Sequence, residues 1–130
     1  MLKNTLHPIL LTCLALMASF HSAGQVTDPM YRIAKIKVDA KHLEEYKKAL
    51  REQMESAVKS EPGVLSYTAV ADRKDPSMIT IFEVYADRQA YESHISTSHF
   101  RKYKETVKDW VLSLELMDTE LVLRAGKEGF

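Results

Sequence analysis

The chain has 130 residues, 45% hydrophobic and 28% charged, with 18 basic side chains balanced by 18 acidic ones. That length holds one domain, and the lack of a basic excess gives a polyanion nothing to grip, which argues against a nucleic-acid partner. The one cysteine, Cys13, lies in a segment expected to be removed, so disulfides and thiol chemistry drop out of the mature protein.

Lys3 precedes an apolar run, Ile9 to Phe20, broken only by Thr12, Cys13 and Ser19, and the small residues Ser22-Ala23-Gly24 follow. The run is shorter than the ~20 residues of a membrane span, so residues 1–24 read as a secretory signal peptide rather than an anchor. The expected location is periplasmic or secreted, with no membrane attachment once the leader is gone. Without Lys3, 17 basic residues face 18 acidic ones, a net charge of −1. Residues 25–29 read as a linker, 30–125 as the domain and 126–130 as a tail.

Met30 to Val38 alternates, with Arg32, Ala34, Ile36 and Val38 on one side, and predicts a half-buried strand, β1. Asp39 is the expected N-cap of helix α1. Its apolar positions Leu43, Tyr46, Leu50, Met54, Ala57 and Val58 fit the 3.6-residue period, and it stops before Pro62. Glu61-Pro62-Gly63 breaks the chain, because proline lacks a donor and glycine tolerates turns. Strands β2 (Val64 to Ala71) and β3 (Met78 to Tyr85) then flank the turn-rich Asp72 to Ser77.

Asp87 is the expected cap of helix α2, with Ala90, Tyr91, His94 and Ile95 facing inward. Ser96-Thr97-Ser98 interrupts it, and Ser98 is expected to cap helix α3, whose stripe is Phe100, Tyr103, Val107, Trp110 and Val111. Leu114 to Leu123 predicts strand β4. This order implies an α+β, ferredoxin-like fold: a four-stranded antiparallel sheet with helices on one face. The other face would stay apolar and open, which favours pairing two sheets in a homodimer.

The chain has no G-x-G-x-x-G, P-loop, G-x-S-x-G or H-E-x-x-H, so nothing cradles a nucleotide or flavin and no cofactor is expected. Of the histidines after the leader, His42 lies in the polar start of α1 and reads as surface. His94 reads either as a general acid or base or as a core histidine bonded to a carbonyl. His99, at the mouth of α3, either contacts a ligand or packs the interhelical turn. Their spacing of five suits neither i,i+3 nor i,i+4, so no metal site is expected. Glu83 shares a side of β3 with Ile79, Ile81 and Tyr85. It reads either as a base of raised pKa or as a rim carboxylate in an ion pair. Tyr67 and Tyr85 read as ligand hydrogen-bonders or as plain packing, and Arg32 as an anchor for a phenolate or carboxylate.

The ordered set Glu61-Pro62-Gly63-Val64-Leu65 into Tyr67, Phe82-Glu83-Val84-Tyr85-Ala86-Asp87, Ala90-Tyr91, His94 and Ser98-His99-Phe100 resembles the antibiotic-biosynthesis monooxygenase domain. The resemblance covers Met30 to about Leu123 and implies a dimeric α+β barrel that oxidises phenols or quinols with O2, without metal or flavin. It implies a pocket between sheet and helices near Tyr67, Glu83, Tyr85, His94 and His99, with Arg32 and Tyr91 as further binding residues for an aromatic substrate. The haem-degrading branch typically has an asparagine on β1, a tryptophan at the end of β3 and a late histidine. Here Ala34 and Tyr85 stand at the first two positions and no histidine follows His99, which argues against haem. Two alternatives remain open: a non-catalytic binder of aromatic ligands, and an isomerase of the same superfamily.

Overall fold

A computed structural model of the chain describes residues 28–127. The expected signal peptide, the first part of the expected 25–29 linker and the end of the 126–130 tail lie outside the described residues. The elements run β1 Met30–Val38, a 3-10 turn Ala40–His42, α1 Leu43–Ser60, β2 Val64–Ala71, β3 Met78–Tyr85, α2 Arg88–Ile95, α3 Ser98–Val107 and β4 Val111–Thr119. The strands form one antiparallel sheet in the order β2-β3-β1-β4, with the helices on one face, as the ferredoxin-like expectation requires.

Alternation decides which side chains meet the helices. Arg32, Ala34, Ile36 and Val38 are all buried, and so are Ile79, Ile81 and Tyr85 of β3. They form the main core with Tyr46 and Leu50 of α1 and Val107 of α3. A second cluster joins Ala57, Val64 and Tyr85 at the other end of the sheet. Gly63 seats α2 there: a Cβ on it would lie 2.4 Å from the Ala90 Cβ, so only glycine allows this approach.

Several boundaries differ from expectation. Asp39 caps the 3-10 turn, accepting from Lys41 N at 3.0 Å, and α1 proper begins four residues later. Thr97, one residue before Ser98, caps α3 through its hydroxyl. Val58 and Ile95 are exposed at 52% and 37%, because the inward stripe of α1 is Tyr46, Leu50, Gln53 and Ala57 and that of α2 centres on His94. Strand β4 starts at Val111 and ends at Thr119. Thr119 already pairs with Tyr31 near the start of β1, so residues 120–123 have no partner strand to continue on.

The helices leave one strip of the sheet open. Leu114 and Leu116 of β4 pair with Ile36 and Ala34, so they share the helix side. Yet they are 44% and 49% exposed.

Candidate functional site

That open strip is the mouth of a pocket of about 90 Å³ between sheet and helices. Its polar groups are Arg32, Gln53, Tyr67, Glu83, Tyr85, Tyr91, Tyr103 and Lys104, and aliphatic side chains with Phe100 complete the wall. Three adjacent strands place the central groups. Arg32 and Glu83 are direct cross-strand partners, as are Tyr67 and Glu83, so guanidinium, carboxylate and phenol rise on one face.

Arg32 is fixed from behind. Its Nε and one NH2 donate to Asp118 Oδ1 at 2.9 and 2.6 Å, and its guanidinium lies 4.0 Å over the Tyr91 ring. Burial pulls its pKa down, but the bonds to Asp118 and Tyr91 outweigh that and leave it raised. Asp118 is shared: Arg88 donates to its other oxygen at 2.7 Å, and the two arginines hold its carboxyl below the usual range.

Glu83 carries the opposite shift. Burial raises its pKa, and the Tyr85 hydrogen bond and the charge of Arg32 only partly offset this. The Tyr85 hydroxyl donates to Glu83 Oε2 at 2.8 Å and lies 2.7 Å from the Tyr67 hydroxyl. Tyr67 in turn stands 2.9 Å from His94 Nε2. Desolvation drives both phenol pKa values well up. On the far wall, Tyr103 shares a hydrogen bond of 2.8 Å with Tyr46 in the core behind it, and burial pushes Tyr103 to about 12.

The two histidines lie behind this pocket, not in its lining. His94 is 1% exposed, with Nε2 facing Tyr67 and, at 3.1 Å, Gln53. Its Nδ1 faces both oxygens of Glu61 at 3.0 and 3.1 Å. Burial lowers its pKa, against the pull of Glu61. His99 meets the same carboxylate through Nε2 at 2.5 Å. The spacing of five, which fits no single helix, nevertheless brings the two rings to one carboxylate. The break at Ser96-Thr97 puts them on successive helices, and one atom from each of Glu61, His94 and His99 lies within 4.8 Å of the others. As they stand, the carboxylate accepts from both rings.

The structure therefore brings Arg32, Glu83, Tyr67, Tyr85 and Tyr91 together around one space, with His94 and His99 linked behind it. Sequence reasoning missed Glu61 and Gln53. Glu61 reads as part of a chain break, although a carboxylate ahead of Pro-Gly ends α1 beside the sheet. Gln53 sits one turn after Leu50 on the inner face of α1, and a polar residue at that phase is the signal that marks it.

The model of the antibiotic biosynthesis monooxygenase family matches residues 29–106. A crystal structure of a Bacteroides thetaiotaomicron protein named for the same family is 45% identical. It superposes with a TM-score of 0.73 and covers 76% of this chain and 94% of its own. A Lactobacillus acidophilus protein, also named as a monooxygenase, is 26% identical with a TM-score of 0.70 over 71% of this chain and 44% of its own. An uncharacterized Synechocystis protein is 32% identical over 82 residues, and this chain spans 55% of that relative's length. The ferredoxin-like fold and this match make the chain a member of the antibiotic biosynthesis monooxygenase family.

Proposed function

We propose that this protein oxidises a small phenolic or quinol-like molecule with O2, drawing the electrons from the substrate and requiring no bound metal or flavin. The observation that carries the reading is the pairing of Glu83, a half-buried carboxylate of raised pKa, with Arg32 across one aromatic-lined pocket. A carboxylate so poised takes a phenolic proton, and the guanidinium and Lys104 offset the phenolate charge. The ionised ring then reduces O2: one oxygen atom enters the ring as a quinone carbonyl, and the other leaves as water with the two displaced hydrogens. The aliphatic wall keeps bulk water from the reactive anion.

The pocket sets the scale of the substrate. About 90 Å³ is below the ~150 Å³ of a cavity that encloses benzene. A single ring would enter with its far edge between Leu114 and Leu116, and a polycyclic one would need a wider mouth. In this reading Glu83 is the base, Tyr67, Tyr85, Tyr91 and Arg32 orient the ring, and His94 and His99 act through Tyr67.

Oxygen uptake with single-ring hydroquinones, followed by quinone absorbance, tests the reading. Glu83→Gln should lower kcat/KM by about 100-fold or more, the scale of lost general-base catalysis. A protein that consumes no O2 above background across such a panel overturns it. The small volume also suits a module that binds an aromatic ligand without turnover, and tight binding with no oxygen consumption would mark that function. Conversion under strictly anaerobic conditions would mark an isomerase.

The same reading includes a homodimer in the periplasm or outside the cell. The sheet face away from the helices carries Ile33, Phe82 and Met117 side by side across β3, β1 and β4, and Phe82 is 46% exposed. A second copy is the partner that this apolar stripe fits.

A further inference from the structure

Behind the pocket runs a continuous line of hydrogen bonds that phenol ionisation alone does not require. We propose that Glu83, Tyr85, Tyr67, His94, Glu61 and His99 form a proton relay that carries the substrate's proton from the inner end of the pocket to solvent beside α3. The proposal rests on the reading above, in which Glu83 takes that proton.

Both ends are placed for it. Glu83, Tyr85 and Tyr67 line the pocket. His99 lines a separate surface depression with Glu52, Gln53, Lys102, Tyr103 and Thr106, and its side chain is 23% exposed. Between them each link is short: 2.8 Å from Tyr85 to Glu83, 2.7 Å to Tyr67, 2.9 Å to His94, 3.0 Å to Glu61 and 2.5 Å to His99.

Proton bookkeeping shows why the line can conduct. Each link holds one hydrogen, and two phenols with two neutral imidazoles supply one fewer than the links need. The missing proton resides on Glu83, on His94 or on Glu61. With the proton on Glu83, the bonds run Glu83 to Tyr85 to Tyr67 to His94 Nε2, and His94 Nδ1–H points to Glu61. Each group then passes one proton forward: Glu83 is left as carboxylate, each phenol stays neutral, His94 keeps one N–H, now on Nε2, and Glu61 holds the proton. His99 first moves its own hydrogen from Nε2 to Nδ1 through solvent; Glu61 then hands its proton to the vacated Nε2, and the hydrogen on Nδ1 leaves to water. The phenols cannot ionise as separate steps, since burial raises both pKa values, so the shift through them is concerted.

The surroundings favour this direction. Arg32 from β1, supported by Tyr91 of α2, stabilises the ionised Glu83 that remains. From α1, Gln53 holds His94 in place. Tyr46 and Tyr103 bond to each other and stay outside the line. At the exit, the Lys102–Glu52 ion pair bridges α3 and α1 beside His99.

The test uses the full-length protein and 4-nitrophenol, whose phenolate is coloured, mixed in a stopped-flow instrument with a pH indicator. In the wild type, phenolate colour and proton release to the buffer should appear in one phase, with a curved dependence of its rate on D2O fraction. In Tyr67→Phe, which removes one oxygen and keeps the ring, release should lag colour by about tenfold or more, on the scale of a lost proton-transfer group. Glu61→Gln should lag likewise. His99→Ala should also lag, and imidazole in the buffer should restore its rate but not that of Tyr67→Phe. Release that keeps pace with colour in Tyr67→Phe and Glu61→Gln, or an imidazole effect equal in both histidine and tyrosine variants, overturns the relay. Wild-type protein that binds 4-nitrophenol without phenolate colour overturns the assignment of Glu83 as base, and the relay falls with it.

Discussion

Glu83 and His94 belong to the same hydrogen-bonded line and titrate in opposite senses. Glu83 has a folded pKa above its unfolded one. Its contribution to stability is therefore full below the unfolded value, about 4.3, and is lost as pH rises through the folded value. His94 has a folded pKa below its unfolded one. Its contribution is present above the unfolded value, about 6.5, and is lost as pH falls through the folded value. Melting curves of single variants separate the two. Glu83→Gln should raise Tm relative to wild type at pH 8, with the gain shrinking toward pH 4. His94→Gln should flatten the loss of Tm that the wild type shows between pH 7 and pH 5. Wild-type and Glu83→Gln curves that stay parallel across this range would show that the carboxylate is solvated. Both substitutions keep a polar group in place, because an unpaired buried partner would cost about 1–3 kcal/mol by itself.

Secondary elements, rather than single residues, decide where these groups meet. Gly63 lets the start of β2 lie against α2, and Ala86 N donates to its carbonyl at 2.8 Å, which locks the end of β3 to the same corner. Gly63→Ala should cost about 1–3 kcal/mol by overpacking. It should also shift His94 away from Tyr67, read as a fall in Tm together with a changed imidazole NMR signal. Asp87 caps α2 through Ala90 N at 2.7 Å, and Asp87→Ala should cost about 1 kcal/mol without moving the site. The elements themselves were legible from alternation on β1 and β3, the helical stripe of α1 and the breaks at Pro62 and Asp75-Pro76. Their ends were less so. The limit of β4 is set by where β1 begins, a long-range fact, and the true cap of α3 is decided between neighbouring Thr97 and Ser98. Period grouped Glu83 with Tyr85 on one side of β3 and Arg32 with Ala34, Ile36 and Val38 on one side of β1, but which side meets the helices is decided by the packing. The meeting of Glu61, His94 and His99 did not follow from period at all, because it depends on how α1 ends and how α2 turns into α3.

At the scale of the molecule, two surfaces remain unfinished in one copy of the chain. The first is the apolar stripe of Ile33, Phe82 and Met117 on the outer sheet face. Phe82→Asp should halve the mass seen by light scattering while leaving the secondary structure intact, and an unchanged mass would show that the stripe is not a subunit interface. The second is the strip of β4 left bare by the helices, where Leu114 and Leu116 frame the mouth of the pocket. Leu116→Ala should admit two-ring quinols and lower their KM, with little change in the pH profile. The acid–base groups hang from β1, β2, β3 and the helices, whereas the rim belongs to the sheet's last strand. Under the proposed function, the rim that limits ligand size and the groups that handle its proton reside on different parts of the scaffold. On that proposal, altering two aliphatic positions would change which ring sizes are admitted and leave the ionising groups untouched.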